Sequence, residues 1–277
     1  MDVFFFLRAL ALLMVVAVFV VGVAYVAWSN AIRADTARLR ADAQAPPDRI
    51  ITAERVAALP TPAVRYFTRA GVVGTTIPRL ITLRQKGRIR SSGEAGWMPL
   101  EAEEVYSTTP PAFVWRAGMP GLSLPVVLGC DEYLGGEGSI AMRLASLIPV
   151  ADERGEELRV AGLMRYLNEM MWFPAAYLGD NVTVFAVDDD SFGVRITDRG
   201  LVAEGVLSIG TDGRVTNFRA TRYNTTTRGM ETWETPISAW APLAGLELPA
   251  IGAADWKLAG GDLRYIELEI TSVAYEP

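Results

Sequence analysis

Glu104 is the residue whose setting most invites chemistry. It lies in a stretch where Met98, Leu100, Ala102 and Tyr106 alternate with Glu101, Glu103 and Val105, so in a strand it falls on the apolar side. A carboxylate there is desolvated and its pKa rises. It can then act as an acid or a gate, it can neutralise an inward arginine such as Arg116 or Arg143, or it can simply lie at the mouth of a cavity. Gln85 is its cross-strand neighbour in the pairing derived below and gives the same face a second polar point. The chemical repertoire is narrow. The 277 residues include no histidine, which removes Ser-His-Asp, Cys-His and His-metal mechanisms and leaves acid/base work to carboxylates, Tyr, Lys and Cys. Cys130 is the single cysteine; it closes no intrachain disulfide, builds no zinc site and has no histidine base to activate it.

Two further clusters read as ordinary structure. Asp188-Asp189-Asp190 has the look of a metal triplet, but between two strands it makes a turn, and the other ligands of a calcium loop are missing. The glycine-rich runs 135–138 and 259–261 lack the Lys-Ser/Thr of a phosphate loop. No cofactor or metal is expected, and no catalytic residue is assigned. The aromatic and methionine residues are the better signal. Met170, Met171, Trp172 and Phe173 form one run, and Phe113 and Trp115 share a strand face. Such side chains usually fill cores, but a broad curved sheet encloses more space than one helix fills, and Met and aromatic walls suit a flexible apolar ligand. The candidate ligand-binding residues are Gln85, Glu104, Phe113, Trp115, Tyr166, Met170, Met171, Trp172 and Phe173.

The elements that must position them begin with a membrane segment. Residues 9–28 carry no charge and as a helix reach about 30 Å, the thickness of a bilayer's hydrocarbon core. Tyr25 and Trp28 sit at headgroup level. A cleaved signal with Ser29-Asn30-Ala31 as its processing site is the competing reading, but its apolar region usually spans only about 7–15 residues. The chain is therefore read as having an uncleaved single-span anchor. Arg8, offset by Asp2, precedes the span, and Arg33, Arg38 and Arg40 follow it; this leans toward a cytoplasmic body, while the carrier likeness given below leans the other way, so the side is open. Residues 29–45 continue the helix into water. A short helix follows Thr52, and another runs from Thr61-Pro62 to Gly71.

From Pro78 the apolar period changes to two and stays so, giving about eleven strands: among them 78–90, 98–107, 112–117, 125–134, 139–148, 230–240 and 263–275. One segment, near 156–173, is helical instead. Its Val160, Leu163, Met164, Leu167 and Met171 recur on one side, with Arg165 and Glu169 on the other. The expected organisation is an anchor and stalk at 1–45, short helices at 46–77, and at 78–277 a curved antiparallel half-barrel wrapped around a central helix. A hairpin through Ser91–Gly96 with a pairing sum of 187 sets Lys86 opposite Glu101 and Arg84 opposite Glu103, with Leu83, Gln85, Gly87 and Ile89 opposite Glu104, Ala102, Leu100 and Met98. Residues 61–90 hold seven cations and no carboxylate, whereas residues 229–277 hold eight carboxylates against Lys257 and Arg264. A net charge of −6 and a pI near 4.9 argue against nucleic acid as a partner.

Three stretches carry a family likeness: Leu59-Pro60-Thr61-Pro62 with Arg65-Tyr66-Phe67 and Ala70-Gly71-Val72-Val73-Gly74; Trp97-Met98-Pro99-Leu100-Glu101-Ala102-Glu103 with Val105-Tyr106; and Arg165-Tyr166-Leu167-Asn168-Glu169 with Trp172-Phe173-Pro174. Over residues 50–275 the chain resembles an uncharacterised bacterial family of membrane-anchored proteins with no assigned activity. That implies residence in the bacterial inner membrane and transfers no catalytic residues. The strand count with one inserted helix is also similar in architecture to the half-barrels that carry lipoproteins across the bacterial envelope, whose concave face holds acyl chains. The leading expectation is non-catalytic binding of a lipid or other apolar molecule, with the bilayer itself as partner through residues 9–28. A fully packed interaction module and a carboxylate-based hydrolase or isomerase are the alternatives. A continuous cavity above about 300 Å³ lined by Trp115, Met171 and Phe173 would separate the first from the second.

Overall fold

The computed structural model describes residues 3–47, 49–120 and 126–277. Asp2 of the charge argument and Pro125 of the expected strand at 125–134 lie outside the described residues. Beyond Pro78 the alternating pattern forms fourteen strands in one open antiparallel sheet. The chain meanders from β1 (Leu80–Ile89) through β2 (Met98–Thr108), β3 (Pro111–Met119), β4 (Val127–Leu134) and β5 (Glu137–Leu144) to the edge strand β6 (Ile148–Arg154). Helix α4 (Glu156–Glu169) then crosses to the opposite edge, β7 (Val182–Asp188). The return passes through β8 (Ser191–Asp198), β9 (Leu201–Ile209), β10 (Val215–Asn224), β11 (Gly229–Glu234), β12 (Ile237–Leu243) and β13 (Leu246–Leu258) to β14 (Gly261–Glu276). The spatial order is β6-β5-β4-β3-β2-β1-β14-β13-β11-β10-β9-β8-β7, with β12 attached to β13.

The order explains the charge segregation. The basic β1 and the acidic β14 are neighbours, and ion pairs cross their seam: Lys86 to Glu269 at 3.1 Å and Arg88 to Glu267 at 2.7 Å. The β1–β2 register has the expected sum of 187, with Arg84 bonded to Glu103 at 3.1 Å. Lys86 does lie opposite Glu101, yet its ammonium turns to β14 instead.

Three expectations need correction. The stretch 139–148 is two strands, because Ala145 and Ser146 turn the chain with φ of 48° and 59°, a left-handed turn made without the glycine or asparagine that would announce it. The stretch 230–240 is β11 and β12, parted at Thr235-Pro236, since proline cannot donate to a continuing ladder. Residues 29–42 do not stand free in water: α1 (Val3–Asp42) lays Ile32 and Leu39 on the outer face of β2–β4, against Val105, Val114 and Leu128, and keeps only its other face, with Arg33 and Arg38, exposed.

Helices α2 (Ala53–Ala57) and α3 (Thr61–Ala70) complete the core with Val56, Tyr66 and Phe67. Thr52 caps α2, accepting from the Arg55 amide at 3.2 Å. Pro60 rather than Thr61 holds the N-cap of α3, and Gly71 ends that helix at φ 84°.

Helix α4 lies so close to β5 that a Cβ at Gly138 would stand 1.9 Å from the Leu158 carbonyl oxygen. Neither main chain can yield cheaply. Gly138→Ala is expected to cost about 1–3 kcal/mol, the range for overpacking, read as a lowered urea midpoint at unchanged m-value.

Candidate functional site

Inside the curve, α4 carries a charged centre. Arg165 donates to three carboxyl groups: Asp131 on β4 at 2.7 Å, Glu169 one turn on at 2.8 Å and Glu104 on β2 at 3.1 Å. Its guanidinium also rests on the rings of Phe113 and Trp115, 4.9 and 5.0 Å from their centroids. Gln85 joins the group as a relay, donating to Glu104 at 3.2 Å and accepting from the Trp115 indole at 3.1 Å. The Tyr106 hydroxyl donates to Glu169 at 3.4 Å. Arg165 and Glu169 were expected on the side of the helix opposite its apolar stripe. The sheet and the segment after α4 surround that side, so the polar stripe is buried and paired within the protein. Arg116 and Arg143, expected near Glu104, lie outside against Tyr25 and Trp28 of α1.

Burial sets the proton inventory. Glu104 has no exposed surface, and desolvation reinforced by the Glu169 charge holds its carboxyl well above the ordinary value, against the pull of Arg165. Burial also raises Asp131, opposed by Arg165 and Arg222. A hydrogen bond between the Glu104 and Glu169 carboxyls needs one proton between them. Burial lowers Arg222; it donates to the Ala161 carbonyl at 3.1 Å and lies over Trp233 and Trp256. Where three carboxyls might gather a metal, the guanidinium of Arg165 already sits.

Beside this centre is a cavity of about 450 Å³. Trp115, Met171, Trp172, Trp233 and Trp256 stand in its apolar wall among many aliphatic side chains, while Asp131, Arg165, Asn168, Glu169, Arg222 and Thr235 supply a polar side. Of the residues singled out from sequence, Trp115, Met171 and Trp172 line it. Gln85 and Glu104 lie behind Arg165 in the charged centre. Phe113, Tyr166, Met170 and Phe173 are packed core: Phe173 lies against Tyr106 and Tyr166 at 5.0 and 5.7 Å. Phe173 was expected on the wall. The chain tightens after Glu169 into two 3-10 turns, Met170–Trp172 and Pro174–Leu178, which rotate it inward and leave Trp172 at the cavity. Arg222, Trp233 and Trp256 were missed. Their alternation on β10, β11 and β13 marks the inner face, but nothing local tells a cavity wall from core.

The profile of a family described as a family of unknown function (DUF6544) matches residues 49–268. Among solved structures, the chain is similar to a LolA superfamily protein from Nitrosomonas europaea at 9% identity, covering 82% of this chain and 94% of that one, with a TM-score of 0.43. It is also similar to a DUF1329 family protein from Desulfovibrio piger at 10% identity, covering 77% and 90%, with a TM-score of 0.41. No curated protein matches the sequence.

Proposed function

The chain belongs to DUF6544, a family of unknown function, and we propose that it is a membrane-anchored protein that binds a lipid or another apolar molecule without chemically changing it. The cavity carries this reading. Its volume, about 450 Å³, falls in the usual range for small-molecule sites, and its wall is mostly apolar, with four Met and four Trp side chains among aliphatic ones. Each ligand methylene buried there contributes about 0.8 kcal/mol. Arg222, Asn168 and Thr235 give the ligand's polar end a place to bond. Helix α1, long and apolar enough to span a bilayer, supplies the anchor.

The Glu104–Glu169 proton pair favours a carboxylate enzyme as the second reading. Against it, Glu104 stands behind Arg165 and is not on the cavity wall, and Asp131, the raised acid that is on the wall, is held by the Arg165 guanidinium at 2.7 Å. A general acid must come within hydrogen-bond reach of its substrate.

The test is native mass spectrometry with lipid extraction on the full chain purified in detergent. The wild type is expected to carry a stoichiometric apolar molecule. Ala254→Phe, which puts a ring into the cavity from β13, is expected to lose it at a stability cost of about 1–3 kcal/mol. A wild type that never retains an apolar molecule, whatever lipid is added, overturns the reading.

A further inference from the structure

We propose that the cavity opens onto the membrane surface, so that its ligand enters from the leaflet on which the protein stands; this rests on the anchored-binder reading above. The register of β1–β6 gives this half of the sheet two distinct ends. The β2–β3 and β4–β5 turns lie at one end; the β1–β2 loop, the Met119 and Val127 ends of β3 and β4 and the β5–β6 turn lie at the other. Helix α1 runs along the outer face from the first end to the second. Its lower part bonds near the first end, with Arg40 to Thr82 at 3.0 Å, and just past the helix the Gln44 amide donates to Thr109 at 2.7 Å. Its upper part meets the second end, where Arg116 donates to the Tyr25 hydroxyl at 3.3 Å and Arg143 stacks on Trp28 at 5.1 Å. From there residues 4–20, all exposed, leave the body as a helix about 25 Å long.

The surface around that exit is unusually apolar. Ile148 and Val150 are 59% and 62% exposed, and Val126, Leu144 and Leu147 stand beside them across the Ala145–Val126 hydrogen bond. An apolar patch on a soluble face needs a partner, and here the bilayer that receives residues 4–20 is that partner. Polar groups suited to headgroups surround it: Trp97 lies between Arg88 and Arg90, at 4.7 and 4.5 Å, and Trp28 lies beneath Arg143. The cavity wall comes to the surface at this same end, through Ser91, Met98 and Val150. The helix exit, the apolar patch and the cavity mouth therefore share one side of the protein.

The test places an environment-sensitive fluorophore on single cysteines in the full chain with Cys130→Ala, reconstituted in phosphatidylcholine vesicles carrying spin-labelled lipid. Labels at Ile148→Cys and Val126→Cys are expected to shift to the blue and to be quenched. A label at Glu137→Cys, in the β4–β5 turn, is expected to show neither. Equal quenching at both ends, or none at Ile148 and Val126, overturns the proposal. The label reports apposition whether or not a ligand is bound, so failure here with lipid still recovered on extraction refutes only the membrane-facing mouth. Quenching as expected with no lipid recovered refutes the binder and leaves the apposition standing.

Discussion

Arg165→Met should be the most damaging single substitution in the protein, lowering unfolding free energy by about 3–5 kcal/mol, the usual cost of stranding buried charges. Arg165 alone among the described residues bonds to Glu104, Asp131 and Glu169 together. Methionine replaces its volume and leaves three carboxyls facing one another. Against a total stability of about 5–15 kcal/mol for an ordinary domain, that loss is large enough to read from a urea midpoint. Glu104→Gln should instead cost less than about 1 kcal/mol, because burial and the Glu169 charge already disfavour an ionised Glu104 and an amide can donate in its place. The same pair predicts a pH dependence. Glu104 has an ordinary value of 4.5, and its folded value lies well above that. In the window between them the native protein keeps a proton that the unfolded chain has released. Stability from this group is thus full below pH 4.5 and declines as pH rises, by up to about 1.4 kcal/mol per unit. Asp131 and Glu132, also raised, add slope of the same sign and persist in the variant. Wild type minus Glu104→Gln should therefore isolate a negative slope above pH 4.5; a flat or rising difference would show Glu104 ionised in the fold.

How far the sequence could be read depended on whether the deciding contact was local. The β1–β2 pairing was readable because one short loop and two alternating patterns leave a single register that keeps Leu83, Gln85 and Ile89 inside. Gly71 announced the end of α3, since a left-handed residue after an apolar helix calls for glycine. The turn at Ala145-Ser146 gave no such notice, so β6 was hidden. Arg165 and Glu169 show the deeper limit. Helical spacing put them opposite the apolar stripe, and a helix with one wet side would have kept them in solvent. α4 has no wet side there, because the open sheet folds around it, and that follows from β6 and β7 being joined across 155–181, not from any property of 156–169. The charge segregation was legible as composition. Its meaning, a β1–β14 seam joining the two halves of the open sheet through the first and last strands of the sequence, was not.

Deleting residues 3–20 should release the protein from membranes completely and leave its urea midpoint where it was, within about 0.5 kcal/mol. Those residues touch little of the body: every side chain described from 4 to 20 is exposed. The expected readout is a shift from the pellet to the supernatant after alkaline carbonate extraction. Deleting 3–31 should behave differently. That cut also removes Tyr25 from Arg116, Trp28 from Arg143, and Ser29, which is 1% exposed. Losing one largely covered aromatic costs about 1.5–3 kcal/mol, so this form should be measurably less stable than the shorter deletion. The comparison bears on processing, because a signal peptidase acting at Ser29-Asn30-Ala31 would make the second form. Its cut would fall inside a helix that is continuous from Val3 to Asp42 and already seated on β2–β4, with Trp28 against Arg143 of β5. A chain that spends part of its folding energy on residues 25–29 gains by keeping them. The intact mass of protein recovered from membranes should therefore include residues 21–31, and a mass beginning near Ile32 would mean that the apolar helix is a leader and not an anchor.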